Sequence, residues 1–395
     1  MRRVEVRPSV AVHGLFVAFG FVIAAFFPFL ALYLSHRGLE EGEIGIVILV
    51  MAVARVIFLP IWGHLADTRT GRVTALRVGA FGTAVTAFAM NRAGGLVGIA
   101  VIAFVISAFM VATGPNIDAI ALVHLGEERM SDYARIRAWE SLSYAAACLG
   151  FGALLEAFGV RWSMPIYGLA SFAVVLWASA TFARDTPDPT HHGRLGAVGA
   201  VFREAPRFWG FLVTVLLLWT GFNAAWNFFS LKIEEGGGGP WLVGVGTALG
   251  GVIELGVMRA SSRLQKRWGL RVVYILGCLL YALGFFLWAL VDSPILVSIL
   301  TGFEGMAFAL VFTTGVVIVG KLLPPNLYST GNSVAGMVGF GIGPIIGAGA
   351  GGFVYQYAGG DVLFAIAGVL AILAAVAAWF ALSPPQLSLP LRASE

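Results

Sequence analysis

The chain has 395 residues, of which 59% are hydrophobic and 12% are charged, and its 25 basic and 21 acidic residues give a net charge of +4. Soluble domains carry about 25% charged residues, so this chain has too little charge to cover a water-facing surface. A net charge this small and scattered also excludes a nucleic-acid-binding surface. The composition predicts an all-α polytopic membrane protein whose surroundings are the lipid bilayer, with no nucleic-acid partner.

The chain begins with a methionine and two arginines, followed by an apolar stretch over 12–34. That stretch is longer than the core of a signal peptide, and we expect it to be a retained first helix. The only two cysteines, Cys148 and Cys278, lie within apolar runs, which favours neither a disulfide nor a metal ligand.

Twelve apolar runs are long enough to cross a membrane, which takes about 20 helical residues. They lie at 12–34, 44–63, 73–90, 96–123, 135–157, 164–182, 208–230, 242–260, 272–291, 295–319, 331–356 and 361–381. The sequence predicts an N-terminal six-helix bundle over 1–182, a cytoplasmic linker over 183–207 and a C-terminal six-helix bundle over 208–395. In the linker, His191 and His192 have no Cys or carboxylate at ligand spacing, so no metal site is predicted there.

The basic residues predict that both termini are cytoplasmic. This topology assigns 20 of the 25 basic residues to cytoplasmic loops or helix ends. Only Arg37, Arg92, Arg161 and Lys232 fall outside, and Arg55 lies within a helix. By the positive-inside rule we expect a multi-pass protein of the cell (inner) membrane, and we expect it to be a monomer.

The two halves of the chain are related by an offset of 199 residues, which aligns 27–73 with 226–272 without a gap. Parallel six-helix repeats are typical of transporters in which two bundles rock around a central site, the mechanism called alternating access. The same offset pairs Arg55 with Glu254, and both are expected near the membrane midplane. An ionisable group at that depth is a functional candidate.

A polar segment between the second and third spans contains Gly63 and Asp67, followed by Arg69, Gly71 and Arg72. It resembles the loop signature of the major facilitator superfamily, with one extra residue between Asp67 and Gly71. The resemblance covers nearly the whole chain, and it implies the major facilitator fold and a gating role for this loop. Physically, Gly63 permits close helix approach, Asp67 can cap a helix N-terminus, and the arginines can bridge to the other bundle.

Two further segments resemble the lactose permease-like symporters and their nucleoside and phenylpropionate relatives. Residues 115–119 resemble the fourth-helix Pro-x-x-acid-Ala segment, and residues 135–139 resemble the Arg-x-Arg-x-aromatic start of the fifth helix. In that family the acid and the second arginine hydrogen-bond the sugar, and an aromatic residue two turns later stacks on it. The resemblance implies these roles for Asp118, Arg137 and Tyr144.

The tenth span carries a third resemblance, in which Phe303, Glu304 and Phe308 match a segment whose glutamate carries the proton. The sequence also departs from lactose permease. Glu140 stands in place of a glycine, Thr301 stands in place of a coupling histidine, and the ninth span contains no arginine. The resemblance therefore indicates the family more firmly than the sugar.

Spacing alone also brings Asp118 and Arg137 together. They are equidistant from the turn at 126–129, so on antiparallel helices they would lie level. Arg137, Glu140 and Tyr144 share one helix face. We expect this group to bind substrate, because charge at depth requires a water-filled cavity. The alternative is a structural ion pair, or snorkelling, near the cytoplasmic headgroups.

Three deeper groups, Arg55, Glu254 and Glu304, are predicted to take part in proton coupling. Glu304 has no basic partner on its own helix, and an unpaired buried carboxyl favours its protonated form. The alternative is structural: Arg55 and Glu254 would form a buried pair between the bundles.

The seventh span carries an aromatic–amide stripe, which includes Asn223 and Trp226 between Trp219 and Asn227. Such a stripe suits stacking and hydrogen bonding to a polar ring, so Asn223 and Trp226 are further candidates for substrate binding. An interfacial aromatic anchor is the alternative. The glycine-rich eleventh span is predicted to pack closely on its neighbours.

These observations predict a secondary active transporter that works by alternating access, through proton-coupled symport of a small polar or amphipathic solute of the sugar, nucleoside or aromatic-acid class. The alternatives are a proton-driven antiporter that exports amphipathic compounds and a non-transporting membrane sensor. No nucleophile–base pair or metal-ligand pattern is present, so the sequence predicts neither an enzyme nor a metal or other cofactor.

Overall fold

The computed structural model describes residues 8–125, 132–183, 185, 206–324 and 327–382. The predicted turn at 126–129 and most of the predicted linker, with His191 and His192, lie outside these residues. The described chain is helical and contains no strand.

Within the described residues, twelve helical spans are long and apolar enough to cross a membrane, which confirms the predicted fold class. In chain order, spans 1 to 12 are Val10–Ser35, Glu41–Thr70, Arg72–Met90, Gly95–Leu125, Arg135–Phe158, Val160–Thr181, Phe208–Glu235, Pro240–Trp268, Leu270–Leu290, Pro294–Leu322, Thr330–Ala358 and Gly360–Ala381. Several run beyond their apolar cores because polar residues continue the helix outside the bilayer.

Four spans depart from regular α-helical geometry. Span 1 passes through a 3₁₀ turn at Phe27–Phe29, where Pro28 lacks a backbone donor. Span 4 is broken between Gly95–Met110 and Thr113–Leu125. Spans 2 and 11 contain π-helical segments at Ala66–Thr70 and Met337–Ile342 respectively.

The π-helical segment of span 2 explains the extra residue in the loop signature. Gly38 and Gly237 have positive φ angles of 80° and 82° before spans 2 and 8, as the repeat predicts. The matching glycines before spans 3 and 9 are Gly71 and Gly269, with φ angles of 75° and 81°. The interval from Gly38 to Gly71 is therefore one residue longer than the interval from Gly237 to Gly269. The gapless alignment of the two halves is wrong by one residue at its end, after the π-helical segment. A π-turn absorbs one inserted residue without breaking the helix.

Spans 1–6 pack on one another, as do spans 7–12, and we call these sets the first and second bundles. Between the bundles, span 2 packs on span 11 and span 5 packs on span 8. We call the end of the molecule with the loops after spans 1, 3, 5, 7, 9 and 11 the far end. The opposite end, where the described chain begins and finishes, is the terminal end.

The bundles meet closely at the far end because glycines face one another there. A Cβ atom at Gly45 of span 2 would lie 2.7 Å from the carbonyl oxygen of Ala348 of span 11. A Cβ atom at Gly152 of span 5 would lie 2.8 Å from the carbonyl oxygen of Pro240, and one at Gly244 of span 8 would overlap the backbone of Cys148. These crossings bring backbone against backbone, as small residues permit in membranes.

Polar contacts reinforce the far-end closure. The Nε2 atom of His36 lies 2.5 Å from Oε1 of Glu234 on the other bundle. The Trp241 backbone N–H donates to Glu156 at 3.1 Å, and the Gln356 amide donates to Glu40.

Towards the terminal end the bundles separate. A Cβ atom at Gly256 of span 8 or Gly336 of span 11 would meet no atom of another helix within 4 Å. The structure is therefore closed at the far end and open between the bundles at the terminal end.

Candidate functional site

Asp118 of span 4 and Arg137 of span 5 meet as their spacing predicts. Oδ1 of Asp118 lies 3.8 Å from Nε of Arg137, and the two side chains are 42% and 48% exposed. The Tyr133 hydroxyl donates a 2.7 Å hydrogen bond to the same carboxylate oxygen. Burial, and then the hydrogen bond to Asp118, raise the pKa of Tyr133, so the phenol remains a donor. Both members of the Asp118–Arg137 pair are partly exposed.

Glu140 lies one helical turn further along span 5. Its Oε1 atom is 3.7 Å from the Arg137 guanidinium, and the residue is 8% exposed. Glu254, on span 8 of the other bundle, is close enough to interact electrostatically with both Arg137 and Glu140. One cation therefore lies among three carboxyl groups contributed by both bundles.

Glu304 of span 10 is about as buried as Glu140. It is 9% exposed, and it interacts repulsively with Glu254. Spans 8 and 10 cross closely beside it, where Gly250 meets Gly305. Among the described residues Glu304 forms no ion pair. We call Asp118, Arg137, Glu140, Glu254 and Glu304 the central charged cluster.

Two tyrosines approach the glutamates of this cluster from opposite bundles. Tyr144 of span 5 and Tyr281 of span 9 both interact electrostatically with Glu254 and Glu304. Tyr144 was predicted to be in the site. Tyr281 was not predicted to be in the site, because it lies in an apolar run that shows no periodic pattern of polar residues. Tyr133 was also missed, although its position one turn before Arg137 could have suggested it.

Thr301, which the resemblance places where lactose permease has a coupling histidine, packs span 10 against span 8 here. Its hydroxyl group contacts the carbonyl oxygens of Gly246 at 2.7 Å and Ser298 at 2.6 Å. It therefore ties span 10 to span 8 one turn before Glu304.

Arg55 lies apart from the central charged cluster, and the alternative of a buried pair with Glu254 is wrong for this structure. It interacts electrostatically with Tyr167 of span 6. Equivalent positions in a parallel repeat lie at the same depth but on opposite sides of the axis that relates the two bundles. The repeat offset therefore predicts the depth of both residues and not their contact.

Asn223 and Trp226 make their contacts within the second bundle. The Asn223 amide donates to the carbonyl oxygen of Trp219 at 2.7 Å. Trp226 stacks on Phe222 and Phe229, with ring centroids 5.9 and 5.3 Å apart. In this conformation both contribute to packing around span 7.

The loop between spans 2 and 3 is held by two carboxylates. Asp67 pairs with the Arg72 guanidinium at 3.4 Å, inside the first bundle. The helix cap considered for Asp67 is provided instead by Asp185, which follows span 6. Its carboxylate accepts the backbone N–H groups of Arg72 at 2.6 Å and Val73 at 2.9 Å. Two backbone donors at the start of span 3 are thereby satisfied.

The remaining residues of the loop signature are placed differently from one another. Gly71 has the positive φ angle that favours glycine. Arg69 is exposed at the terminal end. Gly63 lines a pocket formed by spans 2, 3 and 4 within the first bundle, so the close approach predicted for it is absent from this conformation.

Comparison with known proteins agrees with this architecture. Residues 12–366 match the model of the MFS_1 like family. The maltose permease of Geobacillus stearothermophilus is 28% identical over 338 residues, which is 83% of this chain and 82% of that protein. An uncharacterized transporter of Bacillus subtilis (strain 168), YwbF, is 24% identical over 94% of this chain and 93% of its own.

Solved structures show the same fold at low identity. The nucleoside transporter NupG superposes with a TM-score of 0.83 at 16% identity, covering 96% of this chain and all of that one. A POT family transporter in complex with 5-aminolevulinic acid gives a TM-score of 0.76 at 14% identity, with 94% and 95% coverage. With twelve spans, two bundles and a family match over most of its length, the chain belongs to the MFS_1 like family and is a multi-pass membrane transporter.

Proposed function

We propose that this transporter is a proton-coupled symporter of a small neutral polyhydroxylated solute, of the sugar class first and the nucleoside class second. The observation that carries the proposal is the central charged cluster, which joins both bundles and contains one cation and four carboxyl groups. A site shared between two bundles changes its geometry when they move, as alternating access requires.

The charge of the cluster supports a neutral substrate. Carboxylates accept hydrogen bonds from hydroxyl groups, and the Arg137 guanidinium can donate to ring or hydroxyl oxygens. An anion would meet an excess of negative charge, which disfavours the aromatic-acid class. The similarity to a maltose permease supports the sugar class.

Proton coupling is supported by the arrangement of Glu254 and Glu304. Two neighbouring carboxyl groups in a water-poor interior repel each other when both are charged, and holding one proton relieves that repulsion. Glu304 is buried, whereas Asp118 and Arg137 are partly exposed. A proton held at Glu304 and a solute held at Arg137 would therefore share one site without competing for the same atoms.

A ligand panel tests the substrate class. Purified protein is heated with maltose, uridine or phenylpropionate, and a specific ligand raises the melting temperature by mass action. A hundredfold excess over Kd stabilises the folded state by about 2.7 kcal/mol. We expect stabilisation by the sugar or the nucleoside. Stabilisation by the aromatic acid alone would contradict the proposal.

The role of Arg137 is tested by Arg137→Gln, with Arg135→Gln as its matched control. Arg135 lies on the same helix, but its side chain is 76% exposed and pairs with Asp132 at 3.1 Å. Removing a charge-assisted hydrogen bond to the ligand lowers affinity by roughly ten- to a hundredfold. Isothermal titration with the panel's ligand should show this loss in Arg137→Gln alone. Equal affinity in both variants would return Arg137 to a structural role.

We further propose that the terminal end faces the cytoplasm of the cell (inner) membrane. The native cysteines are buried, so background labelling is low. Arg92→Cys, in an exposed far-end loop, should react with an impermeant maleimide added to intact cells. Arg267→Cys, exposed at the terminal end, should react only after the membrane is opened. The reverse pattern would overturn this orientation.

A further inference from the structure

A second cavity, of about 560 Å³, lies between spans 2 and 11 and apart from the central charged cluster. This volume falls within the range of about 300–1,000 Å³ that is usual for small-molecule sites. Apart from the Arg55 guanidinium and Ser333, the side chains that line it are apolar. The lining residues include Arg55, Val56 and Leu59 of span 2 and Gly336, Met337 and Phe340 of span 11.

Arg55 is the charged group of this cavity, and its guanidinium lacks hydrogen-bond and ion-pair partners among the described residues. It lies midway along its span, and its Nε atom is inaccessible and has no hydrogen-bond partner. No ion pair to Arg55 is formed by the residues that the structure describes. Its neighbour Tyr167 offers only a neutral hydroxyl group. A cation in such surroundings is unfavourable unless an anion accompanies it.

The mouth of the cavity is also apolar. Of the lining residues, Leu59 on span 2 is 46% exposed, and Met337 and Phe340 on span 11 are 49% and 46% exposed. These side chains belong to membrane-spanning helices, so the surface around the cavity suits hydrocarbon rather than water. A ligand that fits combines one negative charge with one long apolar chain.

We infer that this cavity binds a long-chain fatty acid from the bilayer, with its carboxylate on Arg55 and its acyl chain along Met337 and Phe340. Guanidinium and carboxylate groups form charge-assisted hydrogen bonds, which are the strong ones in a dry environment. The π-helical segment Met337–Ile342 forms one wall, so the ligand would lie against the irregular part of span 11. This site is separate from the proposed solute site, and it does not depend on the nature of the transported solute.

The test uses the full chain in proteoliposomes at pH 8, so that the fatty acid is ionised. A palmitate analogue that carries a diazirine at the chain end is photolysed, and labelled peptides are identified by mass spectrometry. We expect labelling concentrated at 337–342. Unlabelled palmitate should suppress it at a concentration about tenfold below that of methyl palmitate, because the ester lacks the charge that Arg55 recognises.

Substitutions distinguish the contribution of the Arg55 charge from the contribution of the cavity's shape. Arg55→Met should abolish the tenfold preference for the acid, Arg55→Lys should retain part of it, and Arg92→Met, an exposed control, should leave it unchanged. Should Arg55→Met fail to fold, Gly336→Leu fills the cavity with the charge intact and should remove the labelling at 337–342. Gly98→Leu, another glycine with open space around it, is its control.

Equal displacement by palmitate and methyl palmitate in the wild type would overturn the inference, as would labelling spread evenly over the exposed apolar surface. Those results would indicate ordinary lipid contact. No transport is measured, so failure here is distinct from failure of the symport proposal.

Discussion

Glu304→Gln is expected to exchange substrate across a membrane but to lose the ability to accumulate it. Glutamine imitates the protonated acid permanently. The loaded carrier can still reorient, so counterflow of labelled against unlabelled substrate should continue. The empty carrier cannot release a proton before it returns, so a pH gradient can no longer drive uptake. The expected loss is complete, whereas a merely weakened site would lower both activities together.

Reconstituted vesicles separate these two activities, with counterflow measured at equal pH and accumulation measured under an imposed pH gradient. Glu43→Gln is the matched control. Its carboxylate accepts the Glu40 backbone N–H at 3.1 Å in the helix cap of span 2, and an amide oxygen can do the same. If Glu304→Gln concentrates substrate as well as the wild type, the coupling role moves to Glu254 or Glu140.

Gly244→Val should hold the far end open and stop transport. The added side chain would overlap the backbone of Cys148 at the crossing of spans 5 and 8. Overpacking of this kind costs about 1–3 kcal/mol, which changes the ratio of two conformations by roughly five- to 150-fold. The penalty falls only on the state closed at the far end, so the population should move towards the other state.

A cysteine at Ala348 reports this shift. Ala348 has an exposed fraction of 0% and lies at the other crossing, between spans 2 and 11. Ala348→Cys alone should resist an impermeant thiol reagent added on the far side, and the same cysteine should react in the Gly244→Val background. Gly256→Val is the control, because Gly256 lies on the same span with open space around it. A cysteine that stays protected in Gly244→Val, with uptake intact, would show that the crossing tolerates bulk.

The twelve spans could be predicted because each one needs a long apolar run, and few polar residues interrupt those runs. The helix interruptions could not. The π-helical segment at Ala66–Thr70 is set by a single inserted residue, which hydropathy does not register. Polar helix ends, such as the continuation of span 8 to Trp268, were also underestimated.

The candidate site was predictable where short-range geometry determines it. Asp118 and Arg137 lie on consecutive spans, so equal distance in sequence from the predicted turn at 126–129 was enough to bring them together. The neighbours of Glu304 depend on how the two bundles pack against each other. A sequence pattern within one helix does not determine that packing. Tyr281 was therefore missed, and the partner considered for Arg55 was wrong.

The glycine crossings at the far end also have a thermodynamic consequence. Where backbone meets backbone, as at Gly45 and Gly152, separation uncovers little apolar side-chain area. The heat capacity of a conformational change follows the apolar area that it exposes. Opening these crossings should therefore have a small heat-capacity change, so its enthalpy should vary little with temperature. For a carrier closed in this way, a van't Hoff plot of the equilibrium between its two states should therefore be close to a straight line.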